Sequence, residues 1–410
     1  MRIAIVGGGL AAVKAIEELR DQGHDGEIAL YGAEPYLPYE RPPLSKGVLL
    51  GKDQPDSVFV HDEAWFDEHG VDLHLGVEVV GLDLDRHELD TGSRTASRTA
   101  SRTGAFDQLL IATGATPRHL EAADRSGAPV AYLRTIDDSR SLKAAFGPGL
   151  RVVIIGAGWI GLEVASAAIA AGSDVTVIET LSLPLLRVLG ADVAQVFADL
   201  HRSHGVDLRL GASITGITRE GSRVVVELED GRVAGDQLVV GVGVAPNTGL
   251  AESAGLAVAD GILVDERLRT ADRAVFAAGD VANHQHPVLG RRLRVEHWDT
   301  AIQHGRHVAR TMLGADAAYE RMPYFYTDQY DLGMEYVGSV GPDGPEAQVL
   351  RGDLEGRNFT AFWLAAGRVV AGMHVNDWDA IDPIKALVGK EIAVDRLADE
   401  SISLADLAAG

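Results

Sequence analysis

One pattern constrains this chain more than any other: an apolar strand running into a glycine loop, a helix and a second apolar strand occurs twice. The first copy reads RIAIV, GGGLAA, VKAIEELRDQG and EIALYG from Arg2 to Gly32. The second reads RVVIIGAGWIGLEVASAAIAAGSDVTVIE from Arg151 to Glu179. Each is a βαβ unit, because hydrophobic periodicity switches from strand to helix and back across a glycine turn. In the first, Gly7, Gly9 and Ala12 form G-x-G-x-x-A; in the second, Gly156, Gly158 and Gly161 complete G-x-G-x-x-G. The first glycine permits the tight turn and the second lets backbone approach a pyrophosphate. The small third residue lets helix and strand pack closely. A helix N-terminus then faces the anion. Glu34 and Glu179 lie at the ends of the following strands, where a carboxylate accepts hydrogen bonds from a ribose. Two such units imply two dinucleotides and an α/β fold with two Rossmann-like domains.

After Glu179 come Thr180, Leu181, Ser182, Leu183 and Pro184, and the first basic residue is Arg187. A 2′-phosphate would meet a carboxylate with no nearby arginine to offset it, so the expected coenzyme is NADH rather than NADPH.

Between and after the two units lie DQLLIATGATPR (Asp107 to Arg118) and DQLVVGVGVAPN (Asp236 to Asn247), each a strand leaving its domain through a glycine turn. From Pro323 the texture changes to short aromatic and β-branched runs followed by a helical tail, the pattern of a sheet packed by helices in a C-terminal α+β domain. SRTASRTASRT, Ser93 to Thr103, is a four-residue repeat where two strands of a meander should turn. It reads as a surface-loop expansion, with a docking role for its arginines as the alternative.

Composition excludes several chemistries. There are no cysteines, so disulfides, zinc-thiolate sites, protein-ligated iron-sulfur clusters and a dithiol relay are absent, and redox chemistry must reside in a bound cofactor. The net charge of −23, from 60 acidic and 37 basic residues, opposes nucleic acid and anionic membrane surfaces. His201 with His204 and His284 with His286 lack a convincing third ligand, so no metal is expected. Val152 to Ala171 is apolar, but glycines and Glu163 make it strand, turn and helix rather than a membrane span. The opening strand carries no signal-peptide features, and a cytoplasmic enzyme is expected.

These residues resemble the FAD-dependent, NADH-using ferredoxin reductases that serve bacterial oxygenases and cytochromes P450, a family close to rubredoxin reductases and more distantly to apoptosis-inducing factor. The resemblance rests on GAEPYLPYERPPLSK (Gly32 to Lys46), LLIATGATPR, GAGWIGLE, GVGVAPN, VFAAGDVA (Val275 to Ala282), EHWDTAIQHG (Glu296 to Gly305) and FYTDQYD (Phe325 to Asp331), in the family's order along nearly the whole chain.

It implies a glutathione-reductase-like architecture: a discontinuous FAD-binding domain at 1–116 and 246–322, an NADH-binding domain at 117–245 and a C-terminal domain at 323–410. It implies that Arg41, Pro43 and Lys46 line the FAD, that Arg134 faces it, and that Asp280 bonds its ribityl chain. Ala112, Thr113, Gly114, Gly279, Glu296 and His297 fall in matched FAD motifs, while Ile160 and Gly243 fall in matched NADH motifs. Lys46, Glu163 and Trp298 are expected to act beside the flavin and the nicotinamide, with Lys46 and Glu163 approaching each other there. Alternatives stay open at four of these residues. Lys46 also reads as a solvated loop lysine, Glu163 as a carboxylate complementing a helix dipole, Asp280 as an N-cap and Trp298 as core packing.

The implied reaction passes electrons from NADH through flavin, a converter from two electrons to one, to a small iron-sulfur protein. Rival readings on the same scaffold are an NADH oxidase, a quinone or monodehydroascorbate reductase, and a redox-sensing interaction protein like apoptosis-inducing factor. Monomer and homodimer are both compatible. Arg291, Arg292 and Arg294 are candidates for a basic patch that docks an acidic ferredoxin.

Overall fold

The computed structural model describes residues 1–93 and 101–409, with side chains undescribed at 93 and 101–104, so most of the serine-arginine-threonine repeat lies outside the described residues. Contacts divide the chain into two units. The first comprises Met1–Arg41, Asp56–Thr116 and Val244–Arg321; the second comprises Pro42–Pro55, Pro117–Gly243 and Met322–Gly410.

The first unit is built on a parallel sheet with strand order Val275–Ala277, Gln108–Ile111, Ile3–Val6, Ile28–Gly32 and Val71–Leu75. Its central strand IAIV is buried at every position. Alternation is absent because both faces of a parallel sheet are covered. Helix Leu10–Asp21 packs against helix Trp298–Met312. Gly305 makes this possible: a Cβ there would lie 2.4 Å from the carbonyl oxygen of Ala11. Arg310 and Glu18 close the contact with an ion pair at 2.7 Å.

The second unit repeats the scheme with order Asp207–Leu210, Asp174–Glu179, Arg151–Ile155, Gln237–Val240 and Val130–Ala131, all parallel. It also holds an antiparallel sheet with order Tyr324–Gln329, Leu332–Gly338, Arg368–Val375, Asn358–Ala365 and Ala347–Asp353. Short helices Ile381–Leu387, Val394–Ala398 and Leu404–Ala409 bury Ile384, Leu387, Leu397 and Leu407 against that sheet. One apolar core joins Leu162, Ala165 and Ala168 of helix Trp159–Ala170 with Met334, Tyr336 and Trp363 of the antiparallel sheet. Trp363 is 1% exposed, and truncating it to alanine would cost about 3–5 kcal/mol. That shared core sets the C-terminal strand Tyr324–Gln329 beside helix Trp159–Ala170.

Candidate active site

The first glycine loop leaves strand Ile3–Val6 at Gly7, where φ is +114° and a Cβ would lie 2.2 Å from the carbonyl oxygen of Ala112. Any side chain would drive this loop from the neighbouring strand end. Gly9 faces open space and begins helix Leu10–Asp21 without a side-chain cap or an acidic residue in the first turn. Ala12 is fully buried beneath it. Along the same sheet edge, Thr113 and Gly114 follow strand Gln108–Ile111 and are clipped to Asn247, whose side-chain amide donates to the Thr113 carbonyl at 2.8 Å. The Asn247 N–H bonds Gly114 at 2.9 Å. Gly279 follows strand Val275–Ala277 at φ +75°. This bare, small-residue edge fits a pyrophosphate, which needs close backbone approach and no competing carboxylate at the helix start.

Glu34 is held from two sides: Arg41 donates to Oε1 at 2.8 Å and Tyr39 to Oε2 at 2.5 Å. The Arg41 guanidinium lies 5.0 Å from the Tyr39 ring centre. A carboxylate has about four lone-pair sites, so this grip orients Glu34 and leaves it able to accept from a ribose. Asp280 sits inside the short turn Gly279–Val281, whose cap is Ala278, so the N-cap alternative does not hold. His297 precedes helix Trp298–Met312, with Glu296 exposed just before it. Burial depresses the His297 imidazole to about 4 against the opposing pull of Asp280 and Asp299, leaving it neutral at neutral pH.

The second loop repeats the geometry. Gly156, at φ +102°, would place a Cβ 2.4 Å from the Gly241 carbonyl, and Gly161 would place one 2.0 Å from the Gly156 carbonyl. Gly158 opens to space and Ile160 is 44% exposed on the first turn of the helix. Gly243, at φ +95°, accepts from the Arg118 N–H at 2.9 Å. Glu179 ends strand Asp174–Glu179 with both oxygens engaged: Oε2 accepts from the Ala157 N–H at 2.8 Å and Oε1 from the Leu181 N–H at 3.0 Å. The carboxylate therefore stiffens the loop.

A third cluster lies within the second unit. Segment Pro42–Pro55 is anchored there by Leu49, buried in the same core as Leu142 and Ala165, and by Ser139, which donates to the Leu44 carbonyl at 2.8 Å. Pro43 lies in the turn Pro42–Ser45 that leads to Lys46. Lys46 reaches Glu163 at 2.7 Å, with side-chain exposures of 16% and 3%. Glu163 lies beyond the first turn of its helix, which contains no acidic residue, so the dipole alternative fails. Ser45 donates to Glu163 Oε2 at 2.5 Å and Thr327 donates to Oε1 at 2.6 Å. Lys46 meets Glu163 as expected, while Ser45 and Thr327 lie in the ERPPLSK and FYTDQYD motifs with nothing local to single them out. Arg134 precedes Thr135, the cap of helix Ile136–Ala144, and its N–H bonds Asp138 at 3.0 Å.

Residues 1–305 match the model of the family described as pyridine nucleotide-disulphide oxidoreductase, and residues 324–408 match the reductase C-terminal domain. The chain is 39% identical to the anthranilate 1,2-dioxygenase system ferredoxin–NAD(+) reductase component of Burkholderia cepacia, over 98% of this chain and 97% of that protein. It is 34% identical to a putidaredoxin reductase of Pseudomonas putida, over 99% and 96%. A chain of the covalent putidaredoxin reductase–putidaredoxin complex superposes with a TM-score of 0.93 at 32% identity, covering 100% of this chain and 98% of that one. The chain belongs to the pyridine nucleotide-disulphide oxidoreductase family.

As a member of that family it is an FAD- and NAD(H)-using oxidoreductase of the ferredoxin reductase type. The family's disulphide branch does not apply, since the sequence has no cysteine. One arginine expected at the surface is drawn into the folded chain. Arg294 is only 10% exposed and pairs with Asp260 and Glu296, while an Arg292 guanidinium nitrogen bonds the carbonyls of Val264 and Asn283. Arg294 is thus taken up within the fold, whereas Arg292 remains exposed. His201 is fully buried and bonds Gln329. No group of three or more metal-ligating side chains occurs among the described residues, and no described helix is long and apolar enough to cross a membrane.

Proposed function

We propose that this chain carries electrons from NADH through FAD to a small ferredoxin-type iron-sulfur protein that supplies an oxygenase or a cytochrome P450. FAD, when bound, accepts two electrons as hydride and releases them singly. The observation that carries the reading is the pairing of two bare glycine loops with the Lys46–Glu163 cluster in a chain without thiols.

Gly7, Gly9, Ala12, Ala112, Thr113, Gly114 and Gly279 would hold the FAD backbone, with Glu34, Arg41 and Asp280 on its polar groups. Pro43, Arg134, Glu296, His297 and Trp298 complete its surroundings in this reading. Gly156, Gly158, Ile160, Gly161, Glu179 and Gly243 would hold NADH. Residues 1–116 and 246–322 thus form the FAD domain, 117–245 the NADH domain and 323–410 the C-terminal domain. Lys46 supplies a cation where negative charge develops, and Glu163 fixes that cation while orienting the nicotinamide. An NADH-dependent enzyme of this kind works in the cytoplasm.

The test begins with the absorption spectrum of the purified protein, whose flavin bands should be lost on adding NADH. Rapid reduction of a purified ferredoxin with little oxygen consumption supports the proposal. Oxygen consumption that outruns ferredoxin reduction would assign the protein to the oxidases instead.

A further inference from the structure

The Lys46–Glu163 cluster does not end at Thr327. Thr327 Oγ1 accepts from the Gln329 side-chain amide at 3.2 Å, and Gln329 Oε1 faces His201 Nε2 at 2.8 Å. His201 Nδ1 faces the Tyr330 hydroxyl at 3.3 Å. The Tyr330 ring stacks on exposed His204 with ring centres 3.8 Å apart. Thr327 and Gln329 share one face of strand Tyr324–Gln329, as residues two apart must, and each is 1% exposed; His201 is 0% exposed. A buried polar row of this length costs stability unless every member is satisfied.

Chemistry fixes its direction. The amide nitrogen of Gln329 can only donate, so the single hydroxyl proton of Thr327 is left for Glu163. The amide oxygen of Gln329 can only accept, so His201 carries its proton on Nε2 and receives the Tyr330 hydroxyl proton on Nδ1. Each bond in the row therefore donates toward Glu163, as do Ser45 and Lys46. Burial holds the His201 imidazole at about 4, so it stays neutral and keeps that polarity.

We propose that Thr327, oriented by Gln329 and His201, is a positioning residue that keeps Glu163 an ionised acceptor for the Lys46 ammonium. The proposal rests on reading Lys46 and Glu163 as the hydride-transfer pair. Other charged groups bear on the cluster from the same C-terminal sheet. Asp328 carries a carboxyl raised by lost hydration, with Lys46 opposing the rise and Glu163 and Glu335 adding to it. Glu335 is itself bonded to His374 at 2.7 Å and to Tyr324. Lys46 also lies 5.4 Å from the Tyr326 ring centre. Without the Thr327 hydroxyl, Glu163 keeps fewer donors amid these acids and takes up a proton at higher pH.

The experiment uses the FAD-loaded protein and two readouts apart from turnover. Nitrogen-15 NMR of the histidines, with His201 assigned by its loss in His201→Asn, should show the Nε2-protonated tautomer. Infrared spectra across pH, with the Glu163 signal assigned by its loss in Glu163→Gln, should show its carboxyl protonating at higher pH in Thr327→Val than in the unmodified protein. Thr327→Ser should restore the original behaviour. Stopped-flow flavin reduction by NADH should fall about tenfold to a hundredfold in Thr327→Val, the range for a hydrogen bond to a charged group, with NADH affinity changed little.

A His201 protonated on Nδ1 would overturn the direction of the row. An unshifted Glu163 titration in Thr327→Val would overturn the positioning role. If Thr327→Val does not fold, Gln329→Met tests the same row through the same titration. Altered spectra with normal reduction rates in Lys46→Met and Glu163→Gln would instead defeat the reading of the pair and leave the row standing.

Discussion

Coenzyme choice should be set by Glu179, and the structure sharpens how. The carboxylate is pinned by the N–H groups of Ala157 and Leu181, at 2.8 and 3.0 Å, and by the Thr180 hydroxyl at 3.1 Å. Three donors deny it freedom to swing away. A 2′-phosphate brought within about 4 Å of it would be opposed by roughly 4 kcal/mol at an effective dielectric near 20. Each 1.4 kcal/mol is tenfold, so the unscreened limit approaches about a thousandfold, and salt and relaxation should leave a preference for NADH well above about tenfold. Glu179→Ala removes the repulsion, but it also deprives the buried Ala157 N–H of its acceptor, at a cost of about 1–3 kcal/mol. The variant should therefore lose efficiency with NADH while its preference over NADPH weakens by more than about tenfold. Stopped-flow flavin reduction with each coenzyme gives both quantities. Comparable efficiency with NADH and NADPH in the unmodified protein, or an unchanged ratio in Glu179→Ala, would refute this reasoning.

Lys46→Met and Glu163→Gln should each slow flavin reduction by NADH at least about tenfold while FAD content after gel filtration stays near one per chain, since the pair is assigned to hydride transfer and not to retention. Gly161→Ala would force a Cβ to 2.0 Å from the Gly156 carbonyl, so NADH affinity should fall more than about tenfold with the flavin spectrum intact. Gly7→Ala, clashing with Ala112 in the first unit, should instead yield protein depleted of FAD on purification. Acid should destabilise the fold: His201 and His284 are both held at about 4 by burial, whereas an unfolded histidine titrates near 6.5. The unfolded chain binds more protons in that interval, so stability falls as pH drops from about 6.5 to 4, by about 3 kcal/mol for each of the two histidines. Thermal melts with an unchanged Tm between pH 7 and pH 4.5 would contradict it.

The sequence by itself determined what is local and steric. Gly7, Gly156 and Gly161 were legible because a tight turn and a close backbone approach admit almost nothing else, and Glu34 and Glu179 because a strand end fixes their distance from the loop. The lack of cysteine excluded a dithiol stage without any structure. The motif order along the chain brought the family, and with it the expectation that Lys46 meets Glu163. Only the tertiary structure decided what converges on that pair. Thr327 lies 164 residues from Glu163, and nothing in FYTDQYD tells which hydroxyl will face a helix formed so much earlier. The answer depends on an apolar core shared by helix Trp159–Ala170 and the antiparallel sheet, and on a strand register that turns Thr327 and Gln329 inward and Asp328 outward. The same holds for Arg294, whose charge looked available in the chain and is paired within it with Asp260 and Glu296. Local motifs state which backbone shapes are required; partners across the fold are chosen by packing, which no short stretch of sequence encodes.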